Sequence, residues 1–228
     1  MNVVITGATS GLGFAIANTL EAYDHNVLRV DYNASPKNAS LWVDVSCEAG
    51  EIAEQFDEFM LPEWPVDLLI NCAGINSNNW FEQVTRDEFD RVMHTNAWSF
   101  VSVTQALLER LKLSSVRTVI NIVSNAAHIP MTSSLAYNAS KAAGLMITKQ
   151  MAHELAPKYG LNIFSISPNK LAGTGMSKQI QDAVCKTRGW TPEFAAEYQK
   201  KALMHGRETE PQAIADYIRH VMDSGAVS

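Results

Sequence analysis

Tyr137 and Lys141 are the two residues whose types and spacing best suit proton chemistry. They are four positions apart, and residues 142–155 have the composition of a helix, so both side chains share one helical face. A phenol titrates near ~10 in water, and a neighbouring cation favours its phenolate form. Such a pair can exchange a proton near neutral pH if another group carries a hydride. The plain alternative is a buried tyrosine beside a surface lysine.

A glycine-rich segment near the N-terminus has the form of a phosphate-binding turn. The β-branched run Asn2–Thr6 predicts a buried strand, and Phe14–Glu21 predicts a helix. Three glycines lie between them: Gly7, Gly11 and Gly13. Glycines there permit a tight turn and a close approach of the backbone to a pyrophosphate, which the helix N-terminus also attracts. The alternative is an ordinary strand–helix turn.

A carboxylate follows at the distance that a dinucleotide site requires. The run Asn26–Val30 predicts a second strand, and Asp31 comes directly after it. This is close to the ~20 residues at which an acidic side chain binds the adenosine ribose. We therefore expect Asp31 to accept hydrogen bonds from ribose hydroxyl groups; a solvated acid at a strand end is the alternative.

The remaining segments alternate β-rich runs with helical patterns, which predicts a doubly wound α/β fold. Tyr32–Ser40 predicts turns with no room for a normal helix. A capping box, Thr85-x-x-Glu88, predicts a long helix extending to Lys112. Further strands are predicted at Leu41–Val45, Val66–Ile70, Thr118–Val123 and Leu161–Ser167, and further helices at Glu48–Phe59, with Ser46 as its cap, and Pro211–Met222. We expect one domain over residues 1–228 with a mostly parallel, Rossmann-type sheet.

Composition excludes several classes of partner. The net charge of -6 and the absence of a basic run argue against nucleic acid and against an anionic membrane surface. No apolar run approaches membrane-spanning length. Three cysteines cannot all pair and lack metal-ligand spacing, so we expect reduced thiols, a cytoplasmic protein and no metal site.

Two signatures together resemble the short-chain dehydrogenase/reductase family, and the resemblance covers nearly the whole chain. They are the spacing Thr6-Gly7-x-x-x-Gly11-x-Gly13 and the pair Tyr137-x-x-x-Lys141. Ser124 stands thirteen positions before Tyr137, which is that family's spacing for a catalytic serine. The resemblance implies an oxidoreductase that transfers a hydride between a nicotinamide cofactor and an alcohol or carbonyl carbon.

The resemblance also implies a role for each member of the catalytic set. Tyr137 would be the general acid or base, and Lys141 would lower its pKa and bind the nicotinamide ribose. Ser124 would orient and stabilise the substrate oxygen. Asn96, within the long predicted helix, would let a local irregularity hold a water of the proton relay; a helix-packing amide is the alternative.

The resemblance further implies which residues bind the cofactor. Asp44 and Val45 match a pair that holds the adenine ring, while Cys72 and Asn169 depart from the family's usual residues. NAD(H) is expected over NADP(H), because Asp31 would repel a 2′-phosphate and Ser10 stands where a basic residue often binds it. The expected cofactor-binding residues are Gly7, Thr9, Ser10, Gly11, Leu12, Gly13, Asp31, Asp44, Val45, Asn71, Ala73, Gly74, Tyr137, Lys141, Pro168, Leu171 and Thr174.

A substrate lid is expected at about residues 175–207. Two helices are predicted over Met176–Met204, the second beginning at Thr191-Pro192-Glu193. Family members commonly add a seventh strand near the C-terminus, so its absence here favours a homodimer over the usual tetramer. Two other functions remain open at this point: a non-catalytic NAD(H)-binding regulatory protein, and an epimerase or dehydratase that retains the cofactor.

Overall fold

The fold is known from a computed structural model, which describes residues 1–33, 40–203 and 206–225. Its six-stranded sheet is parallel throughout, in the order β3-β2-β1-β4-β5-β6. The strands are β1 Asn2–Thr6, β2 Asn26–Asp31, β3 Ser40–Trp42, β4 Leu68–Asn71, β5 Thr118–Ile122 and β6 Asn162–Ile166. The predicted doubly wound α/β fold is confirmed.

Helices cover both faces of this sheet. They are α1 Gly11–Ala22, α2 Ala49–Phe59, α3 Arg86–Met93, α4 Ser99–Ala106, α5 Leu108–Leu113, α6 Leu135–Tyr159, α7 Gly175–Arg188, α8 Pro192–Ala202 and α9 Pro211–Asp223. A π turn, His94–Trp98, joins α3 to α4, and short 3₁₀ turns lie at Phe81–Gln83 and Asn125–Ala127.

Each strand contributes to two cores because successive side chains point to opposite faces. Val3 and Ile5 face α1 and α9, whereas Val4 between them faces α2, α4 and α5. All three side chains are fully buried. Burying a large aliphatic side chain stabilises the fold by about 1.5–3 kcal/mol, so the β-branched runs that predict the strands also hold the layers together.

Several boundaries differ from those predicted. The sequence predicts β3 at Leu41–Val45 and β4 at Val66–Ile70, but pairing is confined to Ser40–Trp42 and Leu68–Asn71. Glu48, not Ser46, is the N-cap of α2; Ser46 instead donates its hydroxyl to Asp44. Of the predicted turn Tyr32–Ser40, residues 34–39 lie outside the described residues.

The predicted long helix from Thr85 is interrupted. Thr85 caps α3 by accepting from the Glu88 amide, as the capping box predicts. The Glu88 carboxylate binds Ser77 and Asn79 and does not close the box. The helical path then passes through the π turn and is divided at Leu107 into α4 and α5.

Candidate active site

The carboxyl ends of the parallel strands open into one cleft of about 860 Å³. β1 has β2 on one side and β4 on the other, so the strand order reverses there, and ligands of doubly wound sheets bind at such a point. The cleft is large enough for a dinucleotide fragment together with a small substrate. Among the described residues, no three His, Cys, Asp or Glu side chains form a group that could bind a metal ion.

Close backbone packing explains the glycines of the first turn. Gly7 has φ +67°, and a Cβ there would lie 2.8 Å from Ala73 Cα. A Cβ on Gly13 would lie 2.2 Å from the Gly7 carbonyl oxygen, so only glycine fits. Ser10 precedes α1 without donating or accepting a side-chain cap, which leaves the first N–H groups of the helix available to an anion. This turn therefore fits a pyrophosphate.

Asp31 lies at the end of β2 and lines the cleft. Its Oδ2 accepts from the Thr9 amide at 3.1 Å and the Thr9 hydroxyl at 2.7 Å, and its Oδ1 accepts from the Asn33 amide at 2.9 Å. An ionised carboxylate has about four acceptor sites, so about one remains for a ribose hydroxyl. Thr9 does not line the cleft; it positions Asp31 instead.

Arg29, two residues earlier in β2, is the cation nearest to Asp31 in sequence. Its guanidinium donates to both Glu21 carboxylate oxygens, at 2.9 and 2.7 Å, and to Asn18 at 2.6 Å. It also lies 5.2 Å from the centre of the Phe14 ring. This ion pair, in which Arg29 is buried and Glu21 is exposed, holds Arg29 against α1, so the guanidinium is not free to bind a phosphate beside Asp31.

The remaining residues assigned to the adenosine portion fall into two groups. Asp44, Val45, Ala73 and Gly74 line the cleft, and one Asp44 oxygen is held by the Ser46 amide and hydroxyl. The Asn71 side chain differs: it lies in the core, 2.8 Å from Asn121, which is its register partner on β5. The resemblance implies that Asn71 binds the cofactor, but Asn71 does not line the cleft, because its side chain pairs with Asn121 in the core.

The predicted catalytic triad comes together at the floor of the cleft. Ser124 follows β5; its Oγ donates to Asn125 Oδ1 at 3.2 Å and accepts from the Ala126 amide at 3.1 Å, and its hydroxyl is near enough to the Tyr137 phenol to affect the phenol pKa. Tyr137 and Lys141 stand one turn apart on α6, with Lys141 Nζ 5.9 Å from the phenol ring centre. Lys141 Nζ donates to the Ile122 carbonyl at 3.0 Å and is almost fully buried.

Burial controls the protonation of this group of residues. It raises the pKa of the Tyr137 phenol, and the Ser124 hydrogen bond only partly opposes the rise. Burial also lowers the pKa of the Lys141 amino group to about 8. The resemblance implies a lowered phenol pKa, whereas in the structure burial outweighs the opposing effect of Ser124 and the phenol pKa is raised. The Cys72 thiol is neutral, because burial raises its pKa to about 12.

Asn96 lies inside the π turn, so the predicted helix irregularity is present. Its side chain is fully buried and bridges to the loop after β4: Oδ1 accepts from the Ile75 amide at 2.8 Å, and Nδ2 donates to the Ile75 carbonyl at 2.9 Å. Nδ2 also donates to Ser140 Oγ at 3.0 Å, one residue before Lys141. Asn96 thus connects α3, the loop and α6 without lining the cleft.

The segment after β6 forms another wall of the cleft. Pro168, Leu171 and Thr174 all line it. Thr174 is the N-cap of α7 and accepts from the Ser177 amide at 3.1 Å, which fixes the sequence register of this stretch. Asn169, where the family usually has glycine, accepts from Asn125 Nδ2 at 2.8 Å and so joins this wall to the loop after Ser124.

The predicted lid contributes side chains to the same cleft. Both predicted helices are present as α7 and α8, and α8 begins with Thr191 as its cap. Residues 204–205 of this span lie outside the described residues. Sequence reasoning missed the polar and cationic residues of this end, which carry no motif: Asn76, Asn78, Thr132, Ser134 and Arg188. His128, in contrast, is exposed and hydrogen-bonds Ser167.

Comparison with known proteins agrees with this geometry. The statistical model of the family described as "short chain dehydrogenase" matches residues 1–184. The chain belongs to the short-chain dehydrogenase family. It is therefore an oxidoreductase that uses a nicotinamide cofactor to act on alcohols and ketones.

Named relatives of this dehydrogenase cover most of its length. It is 24% identical to the sorbitol-6-phosphate 2-dehydrogenase of Klebsiella pneumoniae, over 98% of this chain and 90% of the relative. It is 29% identical to the 2,3-dihydro-2,3-dihydroxybenzoate dehydrogenase of Bacillus subtilis, over 72% of this chain and 67% of the relative. The crystal structure of sorbitol-6-phosphate 2-dehydrogenase from Erwinia amylovora has the same fold, with a TM-score of 0.86 at 20% identity, covering 99% of this chain and 93% of that one.

Proposed function

We propose that the dehydrogenase works through a Ser-Tyr-Lys mechanism in which Tyr137 moves the proton. The observation that carries the proposal is that Ser124, Tyr137 and Lys141 line the same cleft, with Tyr137 and Lys141 one turn apart on α6. A bound nicotinamide supplies or accepts the hydride. In the reducing direction, the Tyr137 phenol donates its proton to the carbonyl oxygen, and in the oxidising direction the Tyr137 phenolate accepts the proton of the substrate hydroxyl.

Ser124 and Lys141 support that proton transfer in different ways. Ser124 Oγ hydrogen-bonds the substrate oxygen, which gains negative charge as the carbonyl is reduced. The amino group of Lys141, when protonated, favours the phenolate form of Tyr137 one turn away. The same amino group would donate to the ribose hydroxyls of a bound cofactor. Asn96 is proposed as a positioning residue that holds α6 and the Ile75 loop together and supports the proton relay through the π turn.

NAD(H) is the proposed cofactor. Asp31 lines the cleft and Arg29 is committed to Glu21, so a 2′-phosphate would meet a carboxylate without a neutralising cation from β2. One pair of unit charges at 4 Å costs about 4 kcal/mol at an effective dielectric constant near 20. The glycine turn, Asp44 and Val45 would hold the rest of the adenosine diphosphate portion.

The proposed assembly is a homodimer of single-domain chains. A groove of about 390 Å³ runs between α4, α5 and α6 and is lined by Val101, Leu108, Ile147 and Met151 among others. In this proposal the chain is a single domain, and helices α7 and α8 form the lid over the substrate. Within the described residues no helix is long and apolar enough to cross a bilayer, and the three cysteines are unpaired. A cytoplasmic location agrees with unpaired thiols.

The test measures cofactor absorbance against a panel of alcohols and carbonyl compounds. We expect turnover by the wild type, and a ~10²–10⁴-fold loss of kcat in Tyr137→Phe with nearly unchanged cofactor affinity, because only the hydroxyl transfers the proton. Lys141→Ala should reduce both the affinity for the cofactor and kcat. Tyr217→Phe, an exposed phenol on α9, is the matched control. More than about a tenth of the wild-type kcat in Tyr137→Phe would remove Tyr137 from the proton transfer.

A further inference from the structure

The lid end of the cleft has an uneven distribution of charge. Among the described residues, two carboxylates line the cleft, Asp31 and Asp44, and both belong to the proposed adenosine portion. The other charged lining residues in the described part of the chain are cations: Arg91, Lys141, Lys170 and Arg188. A substrate in this part of the cleft therefore lies among cationic side chains.

Three of these cations are already accounted for. Lys141 belongs to the catalytic set, and Lys170 is paired with Glu208. Arg91 is exposed on α3, where water screens its charge. Arg188 is different, because it is half-buried and has no carboxylate partner among the residues that the structure describes. Burial lowers the pKa of its guanidinium without coming near to deprotonating it.

The guanidinium of Arg188 is held rigidly at the end of α7. Nε donates to Ser133 Oγ at 3.3 Å, Nη2 donates to the Thr132 carbonyl, and the group lies 4.8 Å from the centre of the Trp190 ring. The preceding residue, Thr187, accepts from Trp80 Nε1 at 2.8 Å through its carbonyl. A guanidinium whose pose is fixed loses little further conformational entropy when it binds a ligand.

Hydrogen-bonding capacity remains on this fixed group. A guanidinium has five N–H donors, and described residues accept from two of them. The fork that remains suits a carboxylate or a phosphate, which Arg binds with two parallel hydrogen bonds. Partial burial strengthens such a contact, because the effective dielectric constant is lower than in water.

The distance to the reacting centre fits a small molecule. Arg188 contacts Ser133, which lies four residues before Tyr137. The backbones of Ser133 and Tyr137 are therefore at most about 14 Å apart. Asn78 and Ser134 line the cleft in the same region and hydrogen-bond each other at 3.0 Å. These amide and hydroxyl groups can also bind hydroxyl groups of a ligand.

We propose that Arg188 is a substrate-binding residue that selects an anionic substrate, with a carboxylate or phosphate group a few bonds from the carbon that exchanges the hydride. The inference rests on the proposed function and deepens it by naming the substrate class. Phosphate and carboxylate share the chemistry that Arg188 recognises, so the test has a separate arm for each.

The test uses pairs of ketones that differ in their anionic group. Fructose 6-phosphate with fructose is the phosphate arm, and acetoacetate with its methyl ester is the carboxylate arm. Affinities are measured by calorimetry on the protein–NAD⁺ complex, in which a ketone binds without hydride transfer, and kcat/KM is measured separately with NADH. We expect the wild type to prefer the anionic member of at least one pair by about tenfold or more.

Three variants identify the residue that is responsible. Arg188→Ala should lose the preference, by reducing affinity for the anionic member about 10–100-fold and leaving the neutral member within about threefold. Arg188→Lys keeps the positive charge but lacks the two parallel N–H donors of a guanidinium, so it should retain part of the preference. Lys186→Ala removes an exposed charge from the same helix outside the cleft and should retain all of it. Affinity for NAD⁺ alone should be unchanged in every variant.

The possible failures are distinguishable. Equal loss for both members of a pair in Arg188→Ala would show that Arg188 only anchors the lid and would overturn the inference. A wild type without preference in either arm, or weaker NAD⁺ binding in Arg188→Ala, would overturn it too. If no ketone is turned over but the calorimetric preference depends on Arg188, the proposed function fails and the anion site stands.

Discussion

At the scale of single residues, the site combines groups whose charged forms burial disfavours. The Tyr137 phenol and the Lys141 amino group are both held closer to their neutral forms than they would be in water. Such an arrangement costs stability, because a charged Lys141 is enclosed with one carbonyl partner and no carboxylate among the described residues. Enzymes commonly keep destabilised groups of this kind where they act on the substrate.

We predict that Lys141→Met yields a more stable, inactive protein. The folded-state pKa of Lys141 is about 8, against 10.5 for the free side chain, which corresponds to a cost of about 3 kcal/mol while the group is charged. Loss of the hydrogen bond to Ile122 offsets part of this. Urea unfolding at pH 7 should therefore show a gain of about 1–3 kcal/mol in the free energy of unfolding.

The pH dependence gives this prediction its sign. Between about pH 8 and 10.5 the unfolded chain binds a proton at Lys141 that the folded chain lacks, so the wild type becomes more stable as pH rises. The advantage of Lys141→Met should therefore shrink across that window. Lys186→Met, at an exposed position, is the control and should show neither effect. A Lys141→Met protein less stable than the wild type at pH 7 would contradict the burial argument.

A second residue-scale prediction concerns Asp31 and the cofactor. We expect the wild type to use NAD(H) with about 10–100-fold higher kcat/KM than NADP(H), because the 2′-phosphate approaches the Asp31 carboxylate. Asp31→Ser should lower this ratio, mainly by raising kcat/KM for NADP(H). Asp182→Ser, an exposed acid on α7, controls for the change in net charge. Equal efficiency with both cofactors in the wild type, or no gain for NADP(H) in the variant, is incompatible with the assignment.

At the scale of elements, the position of α6 determines the geometry of the catalytic set. α6 carries Tyr137 and Lys141, and its Gly144 packs directly on α4: a Cβ there would lie 2.8 Å from Phe100 Cε2 and 3.6 Å from the Asn96 carbonyl. Phe100 is fully buried and has little room to move. The π turn at Asn96 and the glycine at 144 together allow α6 to approach this closely.

We predict that Gly144→Ala impairs both stability and activity. Overpacking against Phe100 should cost about 1–3 kcal/mol, only partly offset by the better helix propensity of alanine. A small displacement of α6 should lower kcat roughly tenfold or more. Gly50→Ala in α2, where no atom lies within 4 Å of the added Cβ, should instead stabilise the fold by about 0.5–1 kcal/mol. Both predictions are tested by measuring unfolding curves and kcat for the two variants. A Gly144→Ala protein with the stability and kcat of the wild type would contradict the overpacking argument.

The sequence predicts features that depend on residues near one another in the chain better than features that depend on distant contacts. Strand positions follow from β-branched runs, and the Ser124, Tyr137 and Lys141 assignment follows from the resemblance to the family. The irregularity at Asn96 is also implied by the resemblance and not by a local pattern, because Asn96 hydrogen-bonds a loop 21 residues away. The inward orientation of Asn71 depends on Asn121 across the sheet, and the role of Thr9 depends on Asp31, 22 residues away. Arg188 has no motif, and only the folded contact with Ser133 brings it to the cleft.

At the scale of the whole molecule, one groove offers an apolar surface that the described part of the chain leaves open. It lies between α4, α5 and α6, its lining residues from α6 are all C-terminal to Tyr137 and Lys141, and its walls include Val101 and Ile147. An exposed methionine, Met146, lies beside it on α6. An apolar groove formed by two long helical segments is typical of a surface that pairs with its own copy across a two-fold axis.

We predict that this surface forms the homodimer. Light scattering at micromolar concentration should give about twice the chain mass of 25.1 kDa. Ile147→Lys should shift the mass toward the monomer, because a two-fold interface contains each substituted residue twice and so doubles the cost of burying the charge. Tyr217→Lys, at an exposed aromatic position on α9, should leave the dimer intact. A stable wild-type monomer would contradict the prediction, and an Ile147→Lys dimer would place the interface elsewhere. Helix α6 both lines this groove and contains Tyr137. If the partner chain helps to hold α6 in position, a monomeric Ile147→Lys protein should also have a lower kcat.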